Sequence, residues 1–168
     1  MGMYAYAHQV TSDRLDSFRR DPDRVAPFLR KVLRSLANGG DFSDPRWTLD
    51  LHKYWAILQY LLAGSPSGPA AAPRTDPILG GVEIGDDMNY GPARFLTAQQ
   101  VREIALQLGR LSWETISLRF DPEAMRSAGV YLAEADGVPD GARTVFHMLV
   151  NFYSDAASQN NAILLVVL

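Results

Sequence analysis

The chain has no cysteine among its 168 residues. That removes disulfides, thiolate nucleophiles, iron–sulfur ligation and cysteine-based zinc sites together. It fits a reducing compartment, and a cytoplasmic location is the expectation. Lysine is nearly absent as well: 2 Lys stand against 14 Arg. With a net charge of −3 and a pI near 5.5, generic phosphate-backbone contacts with nucleic acid are not expected. Long hydrophobic runs are missing too. The longest, Ala162 to Leu168, has seven residues, whereas a membrane-spanning helix needs about 20. Met1-Gly2-Met3-Tyr4-Ala5-Tyr6 carries neither the basic n-region nor the apolar h-region of a secretory leader. No membrane association is expected.

What is present is ordinary for a globular fold. Hydrophobic residues make up 47% and charged residues 21%, enough to bury a core and exclude global disorder. The length predicts one domain spanning 1–168. Residues 3–10 alternate, with Ala5 and Ala7 on one side and Tyr6, His8 and Val10 on the other, which predicts a strand. Ser12-Asp13 caps a short helix. Asp21-Pro22 opens another, with Val25, Phe28, Leu29, Val32 and Leu33 inward and Arg24, Arg30, Lys31 and Arg34 opposite. That basic face reads first as a solvated surface. Asp44-Pro45 begins a turn. A helix apolar nearly all round is predicted over 51–63, capped by Asp50.

Residues 64–76 are rich in Gly, Pro, Ser and Ala and read as a flexible loop within the domain. Pro77 to Ile84 carries paired glycines before a short alternating run, and Asp86 to Pro92 reads as a turn-rich loop. Thr97-Ala98-Gln99-Gln100 is a capping box. Short helices are predicted from Ser112 and Asp121, and a long one from Asp140, with Val145, Met148, Leu149, Phe152 and Ala156 inward. Residues 162–167 read as a buried strand. The fold class is therefore α+β: a small sheet, including the N- and C-terminal strands, packed with several helices. Both strands are expected in one sheet, because a free apolar C-terminal segment is an aggregation hazard.

Four segments carry a resemblance. They are Met1-Gly2-Met3-Tyr4; His52-Lys53-Tyr54-Trp55 leading to Leu61-Leu62-Ala63-Gly64; Leu79-Gly80-Gly81 after Pro77; and Tyr90-Gly91-Pro92-Ala93-Arg94-Phe95-Leu96-Thr97 before Gln99-Gln100-Val101. Their order and spacing resemble the YfbM-like family of mostly bacterial proteins. The resemblance implies an α+β fold and carries over no catalytic residues.

Motifs of known chemistry are absent: no P-loop, no Gly-x-Gly-x-x-Gly, no Gly-x-Ser-x-Gly, no His-Glu-x-x-His. The three histidines, His8, His52 and His147, fall on separate elements, so no metal site and no cofactor are expected. The acidic trio Glu83, Asp86 and Asp87 lacks EF-hand spacing and reads as a solvated turn. The candidate ligand site is a cleft around His52, Tyr90 and Arg94, bordered by Tyr6 and His8. Its basis is His52-Lys53 in the first turn of the predicted helix, where an anion would offset the dipole. Gly91-Pro92 would turn Tyr90 and Arg94 to one side. Two functions stand side by side. One is an interaction or regulatory protein, immunity- or antitoxin-like, with a protein partner. The other is a binding protein or enzyme for a small carboxylate or phosphate.

Overall fold

The structure is a computed structural model and describes residues 2–39, 46–63, 76–131 and 137–168. The loop expected at 64–76 lies outside the described residues except for Asp76, as does the turn expected at Asp44-Pro45.

The alternating N-terminal run forms β1 (Ala5–Val10). Thr11 then caps α1 (Ser12–Arg20) by accepting from the Arg14 amide. A short 3-10 turn at Pro22–Arg24 leads into α2 (Val25–Ala37). Next come β2 (Thr48–His52) and α3 (Trp55–Ala63), then β3 (Val82–Asp87) and β4 (Pro92–Leu96). α4 (Ala98–Leu108) starts on the expected Thr97/Gln100 capping box. α5 (Trp113–Ser117) and α6 (Pro122–Ser127) start on the side chains of Ser112 and Asp121. α7 (Asp140–Ser158) and β5 (Ala162–Val167) close the chain.

The five strands form one antiparallel sheet in the order β2-β1-β5-β4-β3. The N- and C-terminal strands are direct neighbours over their whole length, from Ala5 opposite Val167 to Val10 opposite Ala162. β5 is central and covered on both faces. Ile163 and Leu165 point into the layer formed by α3 to α7, and Leu164 and Val166 into the layer formed by α1 and α2. This double burial explains an unbroken apolar run in place of alternation, since each such side chain removed from water contributes roughly 1.5–3 kcal/mol.

Three expectations are corrected. The helix predicted over 51–63 starts at Trp55, and residues 48–52 form an edge strand instead. Leu49 and Leu51 alternate inward against the α3–α7 layer. Asp50 does accept a main-chain hydrogen bond, from the His52 amide at 2.7 Å, but it closes a turn at the strand end rather than capping a helix. Residues 92–96 pair as β4 where no strand was expected. A five-residue strand opening on proline offers little pattern to read, and its pairing with β5 supplies what its local sequence does not. Met148, expected inward on α7, is 36% exposed. The end of α3 is tied down from a distance: Arg119 Nη1 donates to the carbonyls of Leu61 at 2.7 Å and Leu62 at 3.1 Å, satisfying acceptors left open by the last turn.

Candidate functional site

The residues expected to line one cleft are distributed along the sheet. His52 ends the edge strand β2, exposed, with φ 50°, and its Nδ1 lies 3.4 Å from Asp50 Oδ2. Because α3 begins three residues later, His52 and Lys53 do not occupy a helical first turn, and the dipole argument for an anion there lapses. Tyr90 is 55% exposed in the turn between β3 and β4. Arg94 is held on β4 by three acceptors: Glu83 Oε1 at 2.8 Å and the carbonyls of Gly80 at 3.1 Å and Gly81 at 3.3 Å. It ties the β3–β4 edge to the paired glycines. Strands β1 and β5 lie between β2 and β4. At roughly 4.8 Å per strand, His52 and Arg94 stand about 14 Å apart across the sheet. The structure does not bring them together.

Tyr6 and His8 lie on the α1–α2 face of β1. Burial raises the Tyr6 phenol, with lesser contributions from Asp50 and Tyr4. His8 lines a cavity of about 240 Å³ between the end of β1, α1, α2 and the residue before β2, with Arg14, Phe28 and Trp47 among its walls. The imidazole is only 3% exposed. Its Nδ1 is hydrogen-bonded to Thr48 Oγ1 at 2.7 Å, and its ring meets Phe28 edge-on at 5.3 Å. The Arg14 guanidinium sits over the same Phe28 ring, 5.3 Å from its centre. The cavity lining thus brings together two aromatic rings, a guanidinium and a neutral imidazole.

Burial, and then the Arg14 charge, push the His8 pKa down from 6.5 to about 4. The unfolded chain therefore binds the extra proton between those pH values. The His8 contribution to stability is complete above pH 6.5 and is lost as pH falls towards 4, by about 3 kcal/mol for a shift of this size. His8→Asn keeps a polar group for Thr48 but does not titrate. Urea denaturation at pH 7 and pH 4 should show wild type losing about 3 kcal/mol more than this variant. Parallel losses would mean that His8 is not held neutral in the fold.

One partner of this cavity was not legible in the sequence. Gln9, 1% exposed, points to the opposite face. Its Nε2 donates to Arg46 O at 2.6 Å and to Asp155 Oδ2 at 3.0 Å, while its Oε1 accepts from Asn161 Nδ2 at 2.9 Å. The Gln9 amide donates to Trp47 O at 2.8 Å. Gln9 therefore fixes the segment that carries Trp47 into the cavity wall. A glutamine at an inward position of an otherwise apolar strand is the signal that could have pointed to it. Among the described residues no group of three metal-ligating side chains converges, and no helix is long and apolar enough to cross a membrane.

A five-stranded antiparallel sheet, helices on both faces and a small cavity at one sheet end define an α/β/α-layered member of the α+β class. The chain belongs to a family described as a domain of unknown function, DUF1877, whose model matches residues 1–166. Among solved structures it is similar to the protein of unknown function YfbM from Escherichia coli. That likeness has a TM-score of 0.60 at 16% identity and covers 98% of this chain and 99% of that one. It is a likeness of fold. No curated protein matches the chain. Several residues that carry the YfbM-like resemblance make architectural contacts. Arg94 bridges to Gly80 and Gly81, and the Tyr54 ring packs directly against Gly141 at the start of α7.

Proposed function

We propose that this protein binds a small anionic molecule with a flat apolar body in the His8 cavity, and that binding rather than catalysis is its role. The observation that carries the reading is the neutral His8 imidazole in one cavity lining with Phe28, Trp47 and the Arg14 guanidinium, which lies over the Phe28 ring. A cation over an aromatic ring presents donors to a carboxylate while the ring faces take the ligand body. A space of about 240 Å³ lies just below the roughly 300–1,000 Å³ common to small-molecule sites and limits the ligand to about one ring bearing a carboxylate. His8 is a hydrogen-bonding group here; an imidazole titrating near pH 4 is too weak a base for proton transfer at neutral pH. The proposed setting is the cytoplasm.

Isothermal titration with benzoate and benzamide tests this directly. Benzoate should bind and benzamide should bind at least about 10-fold more weakly, since a charge-assisted hydrogen bond is worth roughly 1.5–3 kcal/mol. Arg14→Gln should erase the difference. Equal binding of the two probes by wild type, or binding of neither, sinks the proposal.

A second reading, an interaction or regulatory protein of immunity or antitoxin type, has its own support. Leu106 on α4 is 66% exposed and Leu118 after α5 is 85% exposed. Large apolar side chains this open are surfaces that a protein partner would cover. Serine at both positions should abolish capture of such a partner and leave benzoate binding intact.

A further inference from the structure

A larger cavity, about 470 Å³, lies between α2 and the turn that joins β3 to β4. Its walls are Arg30, Leu33 and Arg34 from α2, Met88 and Asn89 from the turn, and Leu168. The two arginines are one helical turn apart, so their side chains rise from the same face. Among the described residues neither forms an ion pair. Arg34 donates from Nε to Arg30 O at 3.2 Å, and its terminal nitrogens meet no acceptor among the described residues. The acidic residues beside the turn are Asp86 and Asp87, and Asp87 accepts from the Asn89 amide at 2.8 Å. α2 has no acidic residue in its first turn and carries Arg30, Lys31 and Arg34 together. In a chain of net charge −3, this is a local concentration of positive charge on α2.

The remaining walls are apolar. Met88 is buried, Leu33 is half-buried, and the main chain of Leu168 is paired with Tyr4 at 2.7 and 2.8 Å. Asn89 has φ 97°, a left-handed conformation that asparagine tolerates better than most residues. Its side-chain amide at the wall adds hydrogen-bonding capacity to the two guanidiniums. Basic groups in solution normally find solvent, and the sequence alone favoured that reading. The pocket changes it, because two guanidiniums and an amide border one open hollow whose remaining lining is largely apolar.

We infer that this cavity is a second ligand site, for a phosphate monoester carrying an apolar body. Two guanidiniums suit a tetrahedral dianion, which accepts from both forks at once; a single carboxylate is satisfied by one. Leu33, Met88 and Leu168 supply surface for the apolar part. The volume falls within the range of roughly 300–1,000 Å³ common to small-molecule sites. The site is independent of the His8 cavity and does not rest on the function proposed for it.

The test uses hexyl phosphate, inorganic phosphate, hexanoate and a glutamate-rich peptide as probes in isothermal titration. Hexyl phosphate should bind at least about 10-fold more tightly than inorganic phosphate or hexanoate, as loss of the apolar body or of the second charge removes one set of contacts. Arg30→Gln and Arg34→Gln lie on the exposed face of α2, where substitutions rarely disturb folding. Each should weaken hexyl phosphate by about 10-fold or more. Asn89→Gly, compatible with the positive φ, should weaken it less. Arg14→Gln should leave it unchanged, which separates failure of this site from failure at His8. Equal binding of hexyl phosphate and inorganic phosphate would overturn the inference. So would undiminished binding by the double arginine variant, or binding of the acidic peptide alone, which would mark α2 as a protein-docking face.

Discussion

Gly81→Ala should lower the thermal midpoint by roughly 6–12 °C. Gly81 has φ +82°, and a Cβ there would stand 2.2 Å from the carbonyl oxygen and 2.8 Å from the carbonyl carbon of Phe95. Both are main-chain atoms of β4, which cannot swing aside as a side chain can. The left-handed conformation alone costs a non-glycine residue roughly 1–2 kcal/mol. Relieving the collision requires β3 to move away from β4 at the Val82–Phe95 pair, which also loosens the Arg94 contacts to Gly80 and Gly81. A total of at least ~3 kcal/mol follows, and a chain of this length loses roughly 2–4 °C per kcal/mol. Gly39→Ala is the control. Gly39 has φ +66° with nothing within 4 Å of its Cβ position, so only the conformational cost applies. If both variants lose the same stability by thermal denaturation, the close approach of Gly81 to β4 is wrong.

Tyr153→Ala should cost about 3–5 kcal/mol, as for other fully buried aromatic side chains cut back to alanine. Tyr153 is 0% exposed and among the largest fully buried side chains. It packs within the α3–α7 layer, and its hydroxyl donates to Pro77 O at 2.7 Å. Burial, and then the neighbouring Asp76 carboxylate, raise the phenol well above its ordinary pKa, so it remains a donor through the alkaline range. Asp76 in turn accepts from the amides of Ile78 at 2.8 Å and Leu79 at 2.7 Å. Tyr153→Phe separates packing from hydrogen bonding. It keeps the ring and leaves the Pro77 carbonyl buried without its donor, a loss of roughly 1–3 kcal/mol. Amide exchange should then quicken at Gly80, whose N–H bonds to Asp76 O. Urea denaturation of the two variants should give distinctly different losses. Equal losses would mean that the Pro77 contact carries all of the energy and the ring none.

The parts of this protein legible in its sequence were those specified locally. The Thr97/Gln100 capping box places α4, the Ser112 and Asp121 caps place α5 and α6, and period-two alternation places β1 with the correct residues on each face. Each signal lies within a few residues of the element it starts. The 48–52 strand was misread because Leu51, Tyr54 and Trp55 also fit a helical spacing, and only the open edge of β1 decides in favour of pairing. The cleft around His52, Tyr90 and Arg94 inherited that error.

By itself, then, the sequence determined the fold class, the presence of both terminal strands in one sheet, most of the helix starts and the absence of cysteine chemistry. Caps and periodicity act over short range, and a seven-residue apolar run leaves few other places to go. Only the tertiary structure decided which side chains meet. Strand order puts two strands between His52 and Arg94, brings His8 to Thr48 across 40 residues and Gln9 to Asp155 across 146. Both cavities arise where α2 crosses the ends of the sheet. Their chemistry depends on long-range register and packing, which no local stretch of residues specifies.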